Sequence, residues 1–239
     1  MILVLWTLLP IILFPILFKI KVPYGRYTDV KWGPMMSSRF SWIIMELPAL
    51  VVFIAFFFPK ESNSVVCWVF FACWVGHYFY RSLIFPFKTQ SKMMPIIVAG
   101  SAFFFNIMNG YFNGEYLGKA FYPLSWFYDP RFILGISLFF TGLITNRIAD
   151  KTLFLLKEKD KGYLIPKGGL YNLISCPNYF AEIIQWMGFA IMTWSLPGLA
   201  FALWTAANLV PRAIRHHQWY KMTFSKYPKK RKAIIPYIL

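Results

Sequence analysis

Apolar residues along this chain gather into seven long runs, separated by shorter stretches where lysine and arginine collect. The runs are Met1–Phe18, Ser41–Phe58, Val65–Phe85, Pro95–Phe112, Phe132–Asn146, Asn178–Trp194 and Leu196–Val210. A helix needs roughly 20 mostly apolar residues to cross the hydrocarbon core of a bilayer, and 239 residues hold about seven such helices with short connections. The pattern therefore predicts an all-α polytopic membrane protein, a single seven-helix domain over residues 1–239 with no separate soluble part. The last two runs are short and meet at Ser195-Leu196-Pro197-Gly198, a tight turn between antiparallel helices. Met1–Phe18 lacks the basic start and small-residue cleavage site of a signal peptide, so it is expected to be a mature first helix.

Composition agrees: 58% of residues are hydrophobic and only 14% charged, which excludes an ordinary soluble domain and a disordered one. A formal net charge of +16 would suggest nucleic acid in a soluble protein, but here its distribution matters more. With the N-terminus outside, the inside segments hold twenty basic residues, and the outside segments hold only Lys60, Lys119 and Arg131. That positive-inside bias supports an odd number of spans and a cytosolic C-terminus. Exposed lysines on the basic side suit anionic lipid headgroups; a phosphate-rich cytosolic ligand suits the same charge. The partners expected are the bilayer and a lipid-like substrate, with no nucleic acid. Cys67, Cys73 and Cys176 have no paired spacing, which argues against a disulfide framework and a cysteine-ligated metal; no metal is expected.

Ionisable groups inside a span are costly and usually mark a site. In the second run Glu46 stands in Trp42-Ile43-Ile44-Met45-Glu46-Leu47-Pro48, and the plain alternative for it is a partner to a buried arginine. The third run offers His77, Tyr78 and Arg81, with Tyr78 and Arg81 three residues apart on one helix face. A tyrosine hydroxyl in apolar surroundings can donate a hydrogen bond to a carbonyl oxygen. Asn106, Asn109 and Asn113 form a polar stripe on the fourth run, for which interhelical hydrogen bonding is the simpler reading. Asn146 and Asp150 share a face at the end of the fifth run. Asn178, Glu182 and Gln185 line one face of the sixth, where Pro177 fits a first helical position. An amide and a carboxylate beside a helix N-terminus suit a ribose or a carboxamide. Asn208, Arg212, His216 and Tyr220 continue the seventh run as a ladder at spacing four, either a wall of a cytosolic pocket or a snorkelling basic helix end.

No glycine-rich phosphate loop, Walker lysine, H-E-x-x-H or serine elbow is present. Gly168-Gly169 reads as a turn. Any nucleotide must then be held by loops and helix ends.

From Trp42-Ile43-Ile44-Met45-Glu46-Leu47-Pro48 to the C-terminus the chain resembles the steroid 5α-reductases. The likeness is densest in Gly76-His77-Tyr78-Phe79-Tyr80-Arg81, Asn178-Tyr179-Phe180-Ala181-Glu182, Thr193-Trp194-Ser195-Leu196-Pro197, His216-His217-Gln218-Trp219-Tyr220 and Tyr227-Pro228-Lys229-Lys230-Arg231. Tyr24-Gly25-Arg26 is the recognisable part of the first forty residues. The resemblance implies a seven-helix fold and NADPH-dependent reduction of the 4,5 double bond of a 3-oxo-Δ4-steroid. By matching position it implies that Glu46 and Tyr78 bond the 3-keto oxygen and that Arg81 lies close behind Tyr78. A hydroxyl or protonated carboxyl aimed at that oxygen stabilises the enolate, with Tyr78 the expected proton donor and Glu46 orienting it or donating a second hydrogen bond. The resemblance further implies that Asn146, Asp150, Asn178, Glu182, Arg212, His216, Tyr220 and Arg231 bind or frame NADPH, with Tyr24 and Lys92 as additional candidates. Met45 stands where human-type members carry an amide, so steroid preference is expected to differ.

The expected protein is a monomer in the bacterial inner membrane or the endoplasmic reticulum. Three other readings remain: a related reductase of a polyprenol or enoyl thioester, an isoprenylcysteine-type methyltransferase, and a non-catalytic transporter. The missing internal repeat counts against the last.

Overall fold

A computed structural model describes residues 1–20, 22–23, 25–58, 64–89, 93–159 and 163–239. In chain order its helices are α1 (Ile2–Leu17), α2 (Ser38–Phe57), α3 (Val65–Phe79), the short α4 (Phe85–Lys88), α5 (Ile96–Lys119), α6 (Pro130–Lys159), α7 (Pro177–Thr193) and α8 (Leu196–Thr223). A π-helical segment, Tyr80–Ile84, joins α3 to α4. The only strands among the described residues are β1 (Met35–Ser37) and β2 (Met93–Pro95), an antiparallel pair with Met36 opposite Met94. The chain is mostly helical, as expected. Two described helices, α2 and α6, are long and apolar enough to cross a membrane.

The helices start close to the apolar runs, but α5 continues to Lys119, α6 to Lys159 and α8 to Thr223, well past Phe112, Asn146 and Val210. Apolarity ends there but helix formation does not. Glu115 and Lys119 pair four residues apart on the last turn of α5. Leu153, Leu155, Leu156 and Lys157, good helix formers, likewise carry α6 onward.

Contacts divide the chain into two compact units, one of Lys21–Phe132 and one of Met1–Ile20 with Ile133–Leu239. In the first, α2 and α5 run backbone to backbone. Gly110, Gly114 and Gly118 form a small-residue stripe on α5, and a Cβ added at Gly114 would lie 2.6 Å from the Phe53 carbonyl oxygen. Such stripes let membrane helices approach where no hydrophobic force drives them together. Phe53 stacks on Trp74 at 4.8 Å, and Trp74 donates to the Ala49 carbonyl at 2.9 Å, which ties α3 to α2.

In the second unit, α6 and α7 meet through glycine as well: a Cβ at Gly188 would lie 2.5 Å from the Phe139 nitrogen. Trp186 and Phe201, 4.3 Å apart, join α7 to α8. Between those helices Trp194 adopts the left-handed conformation, and the Ser195 hydroxyl accepts from the Gly198 N–H, so the expected tight turn is present. Arg215 on α8 donates to the Leu17, Phe18 and Ile20 carbonyls, satisfying acceptors that the C-terminus of α1 leaves open.

Candidate active site

Within the unit Lys21–Phe132, α2, α3 and α5 bring the polar residues of three apolar runs together. Glu46 and Arg81 form a hydrogen-bonded ion pair at 3.4 Å, with both side chains nearly buried. The Arg81 guanidinium also lies over Trp42 at 4.9 Å and over Phe85 at 4.4 Å. Aromatic faces hold a weakly hydrated guanidinium well, and they fix the plane from which it meets the carboxylate. The arginine alternative for Glu46 is therefore the observed one. Arg81, which the sequence pattern sets on one helix face with Tyr78, pairs with Glu46 from within the π-helical segment Tyr80–Ile84. The Ser82 hydroxyl bonds the Tyr78 carbonyl at 2.7 Å where the helix changes pitch.

Tyr78 is 2% exposed. Its ring lies 4.9 Å from that of Trp74, the indole anchored to α2. Its hydroxyl accepts from Asn109 Nδ2 at 3.3 Å, and Asn113 Nδ2 donates to Asn109 Oδ1 at 3.1 Å. Asn106, one turn earlier, donates to the Met45 carbonyl, the residue before Glu46. Part of the asparagine stripe thus fulfils the interhelical reading, while Asn109 reaches a side chain singled out as functional. The sequence could not show this, because the bond joins residues 31 positions apart.

The unit holding Ile133–Leu239 carries the second group. Asn146 of α6 donates to the Asn178 carbonyl at 2.9 Å, and Asn178 donates to Asp150 at 3.2 Å. These three residues fasten α6 to the first turn of α7, where Pro177 occupies the first helical position as expected. Glu182, one turn on, is half-buried. Along α8, Arg212 donates to Asn208 at 3.1 Å, and His216 lies 3.3 Å from the Tyr179 hydroxyl. Burial and the nearby Arg215 draw the Arg212 guanidinium down to about 9, so it remains cationic at neutral pH. Tyr220 is buried, its ring stacked on Tyr227 at 5.3 Å, and Arg231 sits over the Tyr227 ring at 5.1 Å.

The C-terminal segment reaches these positions because it is laid across the start of α7. Ser175 and Cys176 N–H groups bond the Lys232 and Ala233 carbonyls, and Lys232 N–H bonds Leu173. The Ser175 hydroxyl gathers Lys232 O at 3.0 Å, His217 Nδ1 at 2.6 Å and the Tyr227 hydroxyl at 2.6 Å. A carbonyl only accepts, so the single serine proton goes to Lys232, and His217 and Tyr227 donate into Ser175. The cluster is a clasp for the tail, and His217 is no base toward Ser175. Burial, then Lys221, Arg231 and Lys232, push the His217 imidazole below its ordinary value. Ser175, just before the sixth run, carried no signal in the sequence. Tyr179, His217 and Tyr227 lie in segments that carry the resemblance, with no role assigned to them.

Among the described residues, Arg231 Nε and Nη1 are buried without a hydrogen-bond partner. A guanidinium only 3% exposed with two unused donors fits an anionic group such as a phosphate. That donor set, with cationic Arg212, fits the charge of NADPH. Tyr24 and Lys92, the two further candidates, lie outside the described residues. No cluster of three metal-ligating side chains occurs among the described residues.

A family model described as 3-oxo-5-alpha-steroid 4-dehydrogenase matches residues 92–239. Steroid 5-alpha-reductase DET2 of Arabidopsis thaliana is 38% identical over 232 residues, covering 92% of this chain and 88% of the relative. The protein of that name from Gossypium hirsutum is 40% identical, covering 93% and 90%. Human 3-oxo-5-alpha-steroid 4-dehydrogenase 1 is 38% identical, covering 90% and 85%.

Proposed function

Since the chain belongs to the 3-oxo-5-alpha-steroid 4-dehydrogenase family, we propose that it uses NADPH to reduce a 3-oxo-Δ4-steroid to the 5α-steroid. It is an oxidoreductase acting on CH–CH groups. The observation that carries the reading is a buried phenol, Tyr78, whose hydroxyl meets Asn109, in the same unit as a nearly buried Glu46–Arg81 ion pair.

NADPH supplies the hydride that adds at the β-carbon of the enone. Addition there moves negative charge onto the 3-oxygen, so the chain accelerates the reaction by whatever stabilises that oxygen more in the transition state than in the ketone. A phenolic O–H aimed at the oxygen does so. Tyr78 supplies that hydroxyl, and Glu46, paired with Arg81, orients it or donates a second hydrogen bond. Apolar neighbours such as Trp74 keep water from the donor, which strengthens its hydrogen bond.

On this reading Arg231 and Arg212 face the cofactor phosphates. Asn146, Asp150, Asn178 and Glu182 frame its ribose or carboxamide and His216 and Tyr220 form a wall, while Tyr24 and Lys92 are further candidates by the resemblance alone. We place seven spans with the N-terminus outside and the C-terminus in the cytosol, as one domain over residues 1–239. The molecule would act as a monomer in a bacterial inner membrane or the endoplasmic reticulum. The uneven placement of lysine and arginine supports that orientation.

Tyr78→Phe is the direct test of the donor. It is expected to lower kcat by about 10²–10³-fold, the scale of losing one oxyanion donor. NADPH, and not S-adenosylmethionine, should still protect the variant against thermal unfolding. Turnover equal to the unsubstituted protein would remove Tyr78 from this role, and protection by S-adenosylmethionine would point to a methyltransferase.

A further inference from the structure

We propose that Asn109, held by Asn113, is a positioning residue that directs the Tyr78 proton toward the substrate carbonyl; this rests on the donor role given to Tyr78 above. The argument starts from which atoms can donate. Asn113 Nδ2 lies 3.0 Å from the Asn109 backbone carbonyl and 3.1 Å from the Asn109 side-chain amide. A backbone carbonyl only accepts, so the end of Asn113 facing it is the NH2. The Asn109 atom that meets this NH2 must then be its oxygen, and the opposite end, its own NH2, points at the Tyr78 hydroxyl. The order along α5 and α3 is fixed: Asn113 donates to Asn109, and Asn109 donates to Tyr78.

A phenolic hydrogen lies near the ring plane in one of two directions. A donor occupying one side of the oxygen turns the O–H to the other. Accepting a hydrogen bond also polarises the O–H and makes it the better donor. Asn109 therefore sets both the aim and the strength of the proton that meets the developing oxyanion.

Two observations separate this from ordinary helix fastening. Asn106, on the same stripe, bonds a backbone carbonyl of α2, and the glycines of α5 already bring those two backbones together. Asn109 and Asn113, each 1% exposed, bond instead to the Tyr78 hydroxyl and to one another. Moreover, Asn113 Oδ1 is buried and has no hydrogen-bond partner among the described residues. Leaving an acceptor unmade costs about 1–3 kcal/mol, and here it accompanies the one orientation of Asn113 that fixes Asn109.

The experiment compares Asn109→Leu, Asn109→Asp and Tyr78→Phe in NADPH-dependent steroid turnover. Asn109→Leu keeps the volume and removes the donor; kcat is expected to fall about 10-fold or more, with the KM for NADPH unchanged. The carboxyl in Asn109→Asp donates to Tyr78 when protonated and accepts when ionised. Its kcat should exceed that of Asn109→Leu and rise as pH falls, a profile absent from the unsubstituted protein, or match the unsubstituted protein wherever the carboxyl stays protonated. On a Tyr78→Phe background Asn109→Leu should cost nothing further, because it acts through that hydroxyl.

Loss with Tyr78→Phe but none with Asn109→Leu would overturn the positioning role and leave the donor standing. Equal kcat of Asn109→Leu and Asn109→Asp at every pH, or a full additional loss on Tyr78→Phe, would overturn it too. Retained turnover in Tyr78→Phe removes the donor itself and this inference with it. Should Asn109→Leu not fold, Asn113→Ala reads the same relay: lower kcat supports it, and unchanged kcat overturns it.

Discussion

Arg231 carries the most direct physical claim at the scale of single residues. A buried guanidinium with two unused N–H donors is unfavourable unless an anion completes it. Charge-assisted hydrogen bonds contribute about 1.5–3 kcal/mol each. Arg231→Leu is accordingly expected to raise the KM for NADPH by about 10–100-fold while changing kcat far less, as read from initial rates over an NADPH titration. An unchanged KM would separate Arg231 from the cofactor. Sequence alone showed Glu46 and Tyr78 plainly, since an ionisable group and a hydroxyl inside apolar runs invite a reason. Their partners were hidden. Whether Glu46 meets an arginine and Tyr78 an asparagine depends on how α2, α3 and α5 are rotated, which the letters of each run do not show.

Helices were the easiest elements to read, because they start close to the apolar runs. Their contacts were less legible, even where the letters carried them. Gly110, Gly114 and Gly118 repeat at spacing four and mark the face of α5 that meets α2. Gly114→Ala places a methyl 2.6 Å from the Phe53 carbonyl oxygen, backbone that cannot swing aside. It is expected to destabilise the protein by about 1–3 kcal/mol, seen as a lower thermal midpoint in detergent; a midpoint equal to that of the unsubstituted protein would contradict the close approach.

The tail clasp makes a second prediction at this scale. His217 is held below its ordinary 6.5 in the folded protein, so between the two values the unfolded chain binds a proton that the folded chain does not. Its contribution is complete above 6.5 and falls as pH drops below it, levelling off beneath the folded value. Thermal midpoints from pH 8 to 5 should therefore decline below 6.5, and His217→Asn should flatten that part of the curve. Asp129 behaves alike at lower pH. Held to about 2 by Arg131 hydrogen bonds, it adds stability that is full above 3.8 and lost as pH falls through about 2.

For the whole molecule, composition and charge distribution pointed to a membrane protein from the start, and the helical content and the apolar α2 and α6 agree. The assignment of function has a different basis: identity over most of the chain to steroid 5-alpha-reductases. What the residues add is two separate polar groups, a buried hydroxyl at Tyr78 in one unit and the buried Arg231 with Arg212 in the other. The measurement that tests this most directly uses purified protein in detergent, a panel of 3-oxo-Δ4-steroids, and NADPH deuterated at the transferable position. The account predicts steroid-dependent consumption of the reductant and a 5α-product carrying one deuterium at carbon 5. No product from any steroid in the panel, or a product without deuterium at that carbon, would contradict it.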